Sequence, residues 1–167
     1  MPINNPKEVF VQLLSNVREG TLRTTEFFKE LSQWAMDPDV KEALEMRVFI
    51  SNTIIERLDQ CFKLIGEKPV KLNTRFAEVC FEDFRKEIAL IENPIAKRLF
   101  VLSALSTIVH FRIAEYVTLI AAADMTNHFG VGVLLESCLA DKLAFVERTR
   151  RLIRNVIETK LAAKVAA

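Results

Sequence analysis

The sequence contains few of the residues that make turns, and it has almost no excess charge. Its 167 residues include four glycines and five prolines, and the formal net charge is +1 at pH 7. So few turn-forming residues favour long helices joined by short connections. A nearly neutral chain gives no electrostatic reason to expect a nucleic acid or an anionic membrane as partner.

Cysteines are also scarce, and their arrangement argues against a disulfide framework. Cys61, Cys80 and Cys138 are odd in number, widely spaced and without a C-x-x-C pair, which is typical of a protein from a reducing compartment. The first eight residues include neither an apolar run nor the basic region of a signal peptide. We therefore expect a cytoplasmic protein.

The chain does contain one long segment that is almost uncharged. Between Leu99 and Ala123 the charged or histidine side chains are His110, Arg112 and Glu115. Apolar residues on nearly every side of the implied helix predict that it is buried all round. The segment is long enough to cross a bilayer, but three such side chains at its middle would be costly there. We interpret it as the central helix of a soluble bundle, and we do not expect a membrane span.

Cap residues and apolar spacing predict five helices. Three N-cap residues, each followed by a proline, mark helix starts at Asn5-Pro6, Asp37-Pro38 and Asn93-Pro94. The predicted helices cover about residues 6–36, 38–65, 74–91, 94–124 and 131–163. The short joint at Asp37 predicts an antiparallel hairpin of the first two helices. A longer, polar connection then leads to the shorter third helix. This order predicts an all-α, ferritin-like four-helix bundle with an additional crossover helix between helices 2 and 4.

Apolar residues spaced by three and four positions predict the inward face of each helix. In helix 1 they are Phe10, Leu14, Val17, Thr21, Thr24, Phe28, Leu31 and Ala35. In helix 2 they are Leu44, Val48, Ile55, Leu58, Phe62 and Ile65, with Ile50, Ile54 and Cys61 beside them. In helix 3 they are Phe76, Val79, Cys80, Phe84, Ile88 and Ile91. Gly20 weakens helix 1 by up to about 1 kcal/mol relative to alanine, which close contact with another helix would explain.

The second helix and the loop after it resemble a known family. The segments DPDVKEA (37–43) and ERLDQCFKLIGEKP (56–69) are similar to YciE/YciF-type ferritin-like proteins, as are His110-Phe111 and Leu134-Leu135. The resemblance implies a four-helix ferritin-like bundle that is usually dimeric, in bacterial proteins linked with stress responses. It also implies a carboxylate-bridged centre of two metal ions.

The sequence departs from the family at that metal centre. Such a site needs inward glutamates, with histidine three or four positions away on the same face, and the chain has no E-x-x-H. Helix 2 has Phe49, Ile50 and Ile54 where donors are expected, and helix 1 has Gly20, Thr21 and Thr24. We therefore predict that apolar side chains fill the site, that the metal has been lost and that no cofactor is bound.

The remaining candidate ligands each have a second interpretation. His110 and Asp141 are the candidate metal-ligand remnants, but His110 is interpreted first as a core or interface histidine. Arg112 and Glu115, three positions apart, could line a polar pocket or form an ion pair on one helix face. An inward Arg112 would repel a metal ion. The basic residues between 148 and 164 indicate a solvated face, and no nucleic-acid partner is expected.

These patterns predict a non-catalytic ferritin-like protein that acts in a structural or interaction role, with the stress association implied by the resemblance alone. The apolar breadth of helices 2 and 4 predicts a homodimer through those faces, or binding of another protein. The alternative is a di-iron or di-manganese oxidase, or a peroxide-handling enzyme, with atypical ligands. A third hypothesis is attachment to a membrane or larger complex through helix 4.

Overall fold

The computed structural model describes residues 5–71 and 76–165, except for the side chains of residue 76 and residues 159–165. The helices are α1 (Pro6–Trp34), α2 (Pro38–Ile65), α3 (Phe76–Ala89), α4 (Pro94–Met125) and α5 (Phe129–Val165). The all-α prediction is confirmed. The predicted α2 has the observed bounds, and the other described helix ends lie within two residues of their predicted positions.

The helices begin and end where the capping residues require. The side chains of Asn5, Asp37 and Asn93 accept hydrogen bonds from backbone N–H groups in the first turns of α1, α2 and α4. Gly66 ends α2 in the left-handed conformation, with φ of 68°, which glycine adopts without steric cost. The cap-plus-proline signals in the sequence were therefore reliable.

The differences in helix length have local causes. α1 ends at Trp34 rather than 36 because Ala35 is already extended and leads into the Asp37 cap. α5 begins at Phe129 rather than 131 because Asn127, with φ of 58°, completes the turn early. α3 ends at Ala89 rather than 91. Its predicted first residues, 74 and 75, lie outside the described residues.

Four helices form the bundle, and α3 lies across it. α1 and α5 each pack against both α2 and α4, which places α2 and α4 diagonally opposite, while α3 contacts α1 and α4. Asp37 at the start of α2 pairs with Arg98 near the start of α4 at 2.9 Å. The two helices therefore begin at the same end of the bundle, which is the ferritin-like arrangement with a long crossover.

The buried apolar side chains form two clusters. The first apolar cluster, near the α1–α2 joint, includes Phe27, Phe28, Leu31, Leu44, Leu102 and Phe145. The second apolar cluster, near the α4–α5 turn, includes Phe10, Leu14, Ile54, Leu58, Leu119 and Leu135. Each cluster takes side chains from all four bundle helices, and together they hold the helices at both ends.

Two inward faces differ from their predictions. In α2, Val48 and Ile55 are only partly buried, because the face that turns inward also carries Arg47. In α3, Val79 is 47 % exposed and Phe81 is buried. The Phe81 ring stacks on Phe27 of α1, with 4.3 Å between the ring centroids, so this contact sets the orientation of α3.

α4 is long and apolar enough to cross a membrane by length and composition alone. Helices at the core of soluble bundles have the same properties. Here one side of α4 packs inward with Leu102, Leu105 and Leu119. The opposite side is exposed along much of its length, so the prediction of burial all round is wrong.

Candidate functional site

A layer of buried polar side chains separates the two apolar clusters. We call these residues the central polar layer: Thr21 and Thr24 of α1, Arg47 and Ser51 of α2, Arg112 of α4, and Lys142 of α5. Each is at most 5 % exposed. Each also lies at a core position by spacing: Arg47 lies three residues after Leu44, and Lys142 three before Phe145. Helix geometry therefore turns these polar residues inward.

Arg112 connects α4 to α1. Its Nε donates to Thr24 Oγ1 at 3.2 Å, and its Nη1 donates to Glu115 Oε2 at 2.6 Å. The guanidinium lies against the backbone of Gly20, where an added Cβ would lie 1.9 Å from Nη1. Gly20 is therefore needed to make room for a side chain. The ion pair of Arg112 with Glu115 confirms that alternative, and the two residues also line a polar groove between α1 and α4, as the other alternative predicts.

Arg47 is the most buried guanidinium in the part of the chain that the structure describes. It is 2 % exposed, and its Cζ lies 5.3 Å from the centroid of the Phe145 ring. Its Nε and Nη1 have no hydrogen-bond partner among the described residues. Burial lowers the pKa of Arg47 to about 10, although it remains a cation at neutral pH.

Lys142 is enclosed on α5 and faces α4. It is 1 % exposed, and its Nζ lies 4.8 Å from the centroid of the Tyr116 ring, a cation–π arrangement. Burial, together with the positive charges of Arg47 and Arg112, lowers its pKa well below the ordinary lysine value. The Tyr116 hydroxyl lies near Thr21 but makes no hydrogen bond of acceptable geometry with a described residue.

A small cavity lies within this layer. Its lining includes the three basic side chains together with Thr21, Thr24 and Ser51. The centre of a water-sized sphere can occupy about 10 Å³ of it, which is the space of one water molecule or one monatomic ion.

Three basic side chains line the cavity, whereas the acidic side chain that pairs with one of them is Glu115. Glu115 pairs with Arg112, while Arg47 and Lys142 approach aromatic rings. Burial raises the pKa of Glu115, although Arg112 opposes that shift. Chemically, such a layer attracts negative charge and hydrogen-bond acceptors, and it repels cations.

The lining does not fit a di-metal centre. A carboxylate-bridged pair of cations needs several inward carboxylates and imidazoles, whereas the central cavity is lined by guanidinium, ammonium and hydroxyl groups. Within residues 5–71 and 76–165, no three or more His, Cys, Asp or Glu side chains come together in a way that could hold a metal ion. We derive no metal chemistry from this site.

The two candidate ligands lie away from the cavity. His110 is exposed on α4, with its Nδ1 2.7 Å from the carbonyl oxygen of Ser106. Its interpretation as a core histidine is therefore wrong, while the interface alternative stays a prediction. Asp141 accepts from Nη1 of Arg57 at 2.5 Å and is partly exposed. Neither residue is among those that line the central cavity.

Arg47 and Lys142 were not predicted to lie at the centre, and the prediction that apolar side chains fill the centre is wrong. Of the three residues proposed to fill it from α2, Ile54 is buried, Ile50 is partly buried and Phe49 is 68 % exposed. The sequence did contain a signal for their inward orientation, because Arg47 lies three residues after Leu44 and Lys142 lies three residues before Phe145.

Two cysteine thiols are buried near this layer and are free. Cys61 and Cys138 lie in the second apolar cluster. Burial raises the pKa of Cys61 to about 12 and also raises that of Cys138. Neither thiol is activated as a nucleophile at neutral pH.

Comparison with known proteins identifies a family. A family model described as a domain of unknown function, DUF892, matches residues 5–162. No curated protein matches the chain.

Solved structures share the fold at low sequence identity. The E. coli stress protein YciF superposes with a TM-score of 0.89 at 20% identity, covering 93% of this chain and 99% of YciF. YcfI of Rhodopseudomonas palustris, described as "a putative structural protein", gives 0.85 at 22% identity, covering 89% and 94%. A protein from Xanthomonas campestris gives 0.68 at 14% identity, covering 94% and 99%. These similarities establish the ferritin-like fold.

Proposed function

We propose that this chain, which belongs to the DUF892 family, is a non-catalytic structural protein that assembles as a homodimer through the outer face of α4. The proposal rests on one observation, which is that the exposed face of α4 is uncharged. From Leu99 to Ala121 its exposed residues are uncharged: Leu99, Ser103, Thr107, His110, Phe111, Ala114, Val117, Thr118 and Ala121. This set is called the α4 outer face. Helix geometry gives it a length of roughly 33 Å.

The other outward helix faces are much more charged. α2 exposes Lys41, Glu42, Glu45, Glu56 and Lys63. α5 exposes Glu136, Glu147, Arg150, Arg151 and Arg154. α2 lies diagonally opposite α4, so one two-fold contact cannot bury both. We therefore narrow the predicted interface from helices 2 and 4 to α4 alone, although Phe49 of α2 is exposed.

The binding partner that best fits the α4 outer face is a second copy of the chain. A two-fold contact sets the same surface against itself, so charges would often meet like charges. An uncharged face avoids that repulsion. The small side chains Ser103, Ala114 and Ala121 would let two α4 helices approach closely. In an antiparallel pair, His110 would lie near the two-fold axis, in keeping with its prediction as an interface residue.

The relatives support a structural role rather than a reaction. YcfI is described as "a putative structural protein" and YciF as a stress protein. By analogy we propose a role in a stress response, in the cytoplasm. The central polar layer is occupied by cations of the chain itself, which disfavours the alternative di-iron or di-manganese oxidase.

Light scattering on the purified full chain tests the assembly. We expect a mass twice that of the 19.1 kDa chain, and we expect Val117→Glu to shift it toward the monomer, because each new carboxylate would be buried without a partner against the uncharged face of the other α4 helix. The matched control is Phe49→Glu on α2, which should leave the dimer intact. A monomeric wild type, or equal effects of the two variants, would overturn the proposal.

Elemental analysis of the same sample, after exposure to iron, manganese and zinc, tests the non-catalytic part. We expect far less than one metal ion per chain, because Arg47, Arg112 and Lys142 occupy the centre. About two metal ions per chain would revive the di-metal enzyme.

A further inference from the structure

We propose that the central cavity is a binding site for one small inorganic anion of halide size, held by Arg47 and Lys142. This site does not depend on the proposed dimer, because the cavity lies inside a single bundle. Chloride is the probe that represents this chemical class.

The unsatisfied donors of Arg47 point to a ligand. Its Nε and Nη1 are buried without a hydrogen-bond partner among the described residues, and the side chain lines the cavity. A buried charged donor without an acceptor is costly. These two donors point to different edges of the planar guanidinium, because Nη1 lies on the side of Cδ and the Nε–H points away from it, so a single acceptor in the cavity could satisfy one of them.

The charge balance points to an anion rather than a neutral acceptor. Arg47, Arg112 and Lys142 come from three different helices and surround one cavity. Glu115 is engaged by Arg112, with 2.6 Å between the paired atoms. An anion beside Arg47 and Lys142 would supply the missing negative charge where water screens it least.

The size and the hydroxyl groups of the cavity narrow the class of anion. With room for about one water-sized sphere, it has no space for sulfate or phosphate. Thr21 already donates to the carbonyl of Val17, and Thr24 to that of Gly20. The donors that face the anion are therefore the guanidinium of Arg47 and the ammonium of Lys142, with Ser51 in the same lining.

A route to the cavity passes Arg112. Its side chain lines the central cavity and also a surface groove between α1 and α4, which is lined by Asn16, Gly20 and Glu115. The guanidinium, which lies against the bare backbone of Gly20, is shared by the linings of the groove and of the cavity. Rotation of a flexible arginine would let a small ion exchange with solvent.

Crystals of the full chain soaked in sodium bromide test the site directly. We expect an anomalous difference peak within hydrogen-bonding distance of Arg47 Nε and of Lys142 Nζ. A well-ordered centre without such a peak, at bromide concentrations of about 100 mM, would overturn the proposal. This measurement uses the wild-type chain, so it does not depend on how any variant folds.

Thermal unfolding in solution gives a second readout. Sodium chloride is compared with sodium gluconate at equal ionic strength, because gluconate is too large for the cavity. We expect Tm to rise with the logarithm of the chloride concentration, by about 3–6 °C once chloride reaches ten times its dissociation constant. Equal Tm values in the two salts would contradict the proposal.

Variants connect the chloride effect to the site. Arg47→Met and Lys142→Met should each abolish the difference between chloride and gluconate. The matched control is Arg57→Met, which removes a partly exposed arginine of α2 that pairs with Asp141, and it should keep the full difference. If the control loses the effect and Arg47→Met retains it, chloride acts elsewhere and the proposal is wrong.

Discussion

The ends of the bundle and its middle are built from the same helices but stabilised differently. In the two apolar clusters, positions such as Leu14, Leu58 and Leu102 are completely buried and apolar. In the middle, the same helical spacing brings Arg47 and Lys142 inward. The ends therefore stabilise the fold by transfer of apolar surface out of water. The stability of the middle depends instead on whether each buried polar group has a hydrogen-bond or charge partner.

The largest expected effect comes from truncating an apolar end. Leu102 is 0 % exposed in the first apolar cluster, so Leu102→Ala should lower the free energy of unfolding by about 2–5 kcal/mol, from lost burial and the cavity left behind. Urea unfolding measures this change in the free energy of unfolding. Leu90→Ala is the control, since Leu90 is 82 % exposed and should change little. A loss below about 1 kcal/mol at Leu102 would mean that the core collapses around the gap.

The second prediction concerns the contact between Gly20 and Arg112. The Cβ of Gly20→Ala would lie 1.9 Å from Nη1 of Arg112, so the guanidinium must move away from Thr24 and Glu115. We expect a loss of about 1–3 kcal/mol in the free energy of unfolding. The same substitution at Gly130, where the added Cβ would meet no heavy atom of the described residues within 4 Å, should not destabilise. In the double variant with Arg112→Met, the cost of Gly20→Ala should largely disappear, and simple additivity would contradict the contact.

The third prediction uses the pH dependence of the central polar layer. The pKa of Lys142 is lowered in the folded protein, so the unfolded chain binds more protons between that value and the ordinary lysine pKa. Stability should therefore rise with pH across this window, because the cost of the buried charge is complete below the folded pKa and is lost above the unfolded one. The titratable or charged groups that act on Lys142 are Arg47, Arg112, Glu115, Tyr116 and Cys138.

Urea unfolding from pH 7 to pH 10, in wild type and Lys142→Met, checks this prediction in a chloride-free buffer. The raised pKa values of Tyr116 and Cys138 act in the opposite direction, so the informative quantity is the difference between the two proteins. Wild type should gain stability relative to the variant as pH rises. A difference that stays constant with pH would show that Lys142 does not titrate in this way.

The smallest effect is expected at a surface ion pair. Asp141 pairs with Arg57, and both side chains are about a third exposed, so Asp141→Asn should cost roughly 0.2–1 kcal/mol. A double-mutant cycle with Arg57→Met isolates the pair. Since Asp141 was also a candidate metal-ligand remnant, a small effect together with unchanged metal content would support its role as a surface residue.

The difference between the ends and the middle of the bundle also explains which parts of the structure can be predicted from the sequence. The caps at Asn5, Asp37 and Asn93 and the apolar spacing predict every helix and the ferritin-like order, because those signals are local. The centre was predicted only in part: an inward Arg112 was considered, whereas Arg47 and Lys142 were not expected there. Their inward orientation depends on the packing of four helices, and no single segment of sequence contains that information.

The contact between Gly20 and Arg112 has a consequence for how such sequences can change over generations. An arginine at position 112 requires a bare backbone at position 20, and any side chain at position 20 would exclude the guanidinium. The two positions, far apart in the chain, should therefore covary among related sequences. A relative that has alanine or a larger residue at position 20 is expected to have replaced the arginine first, since the opposite order passes through a strained intermediate.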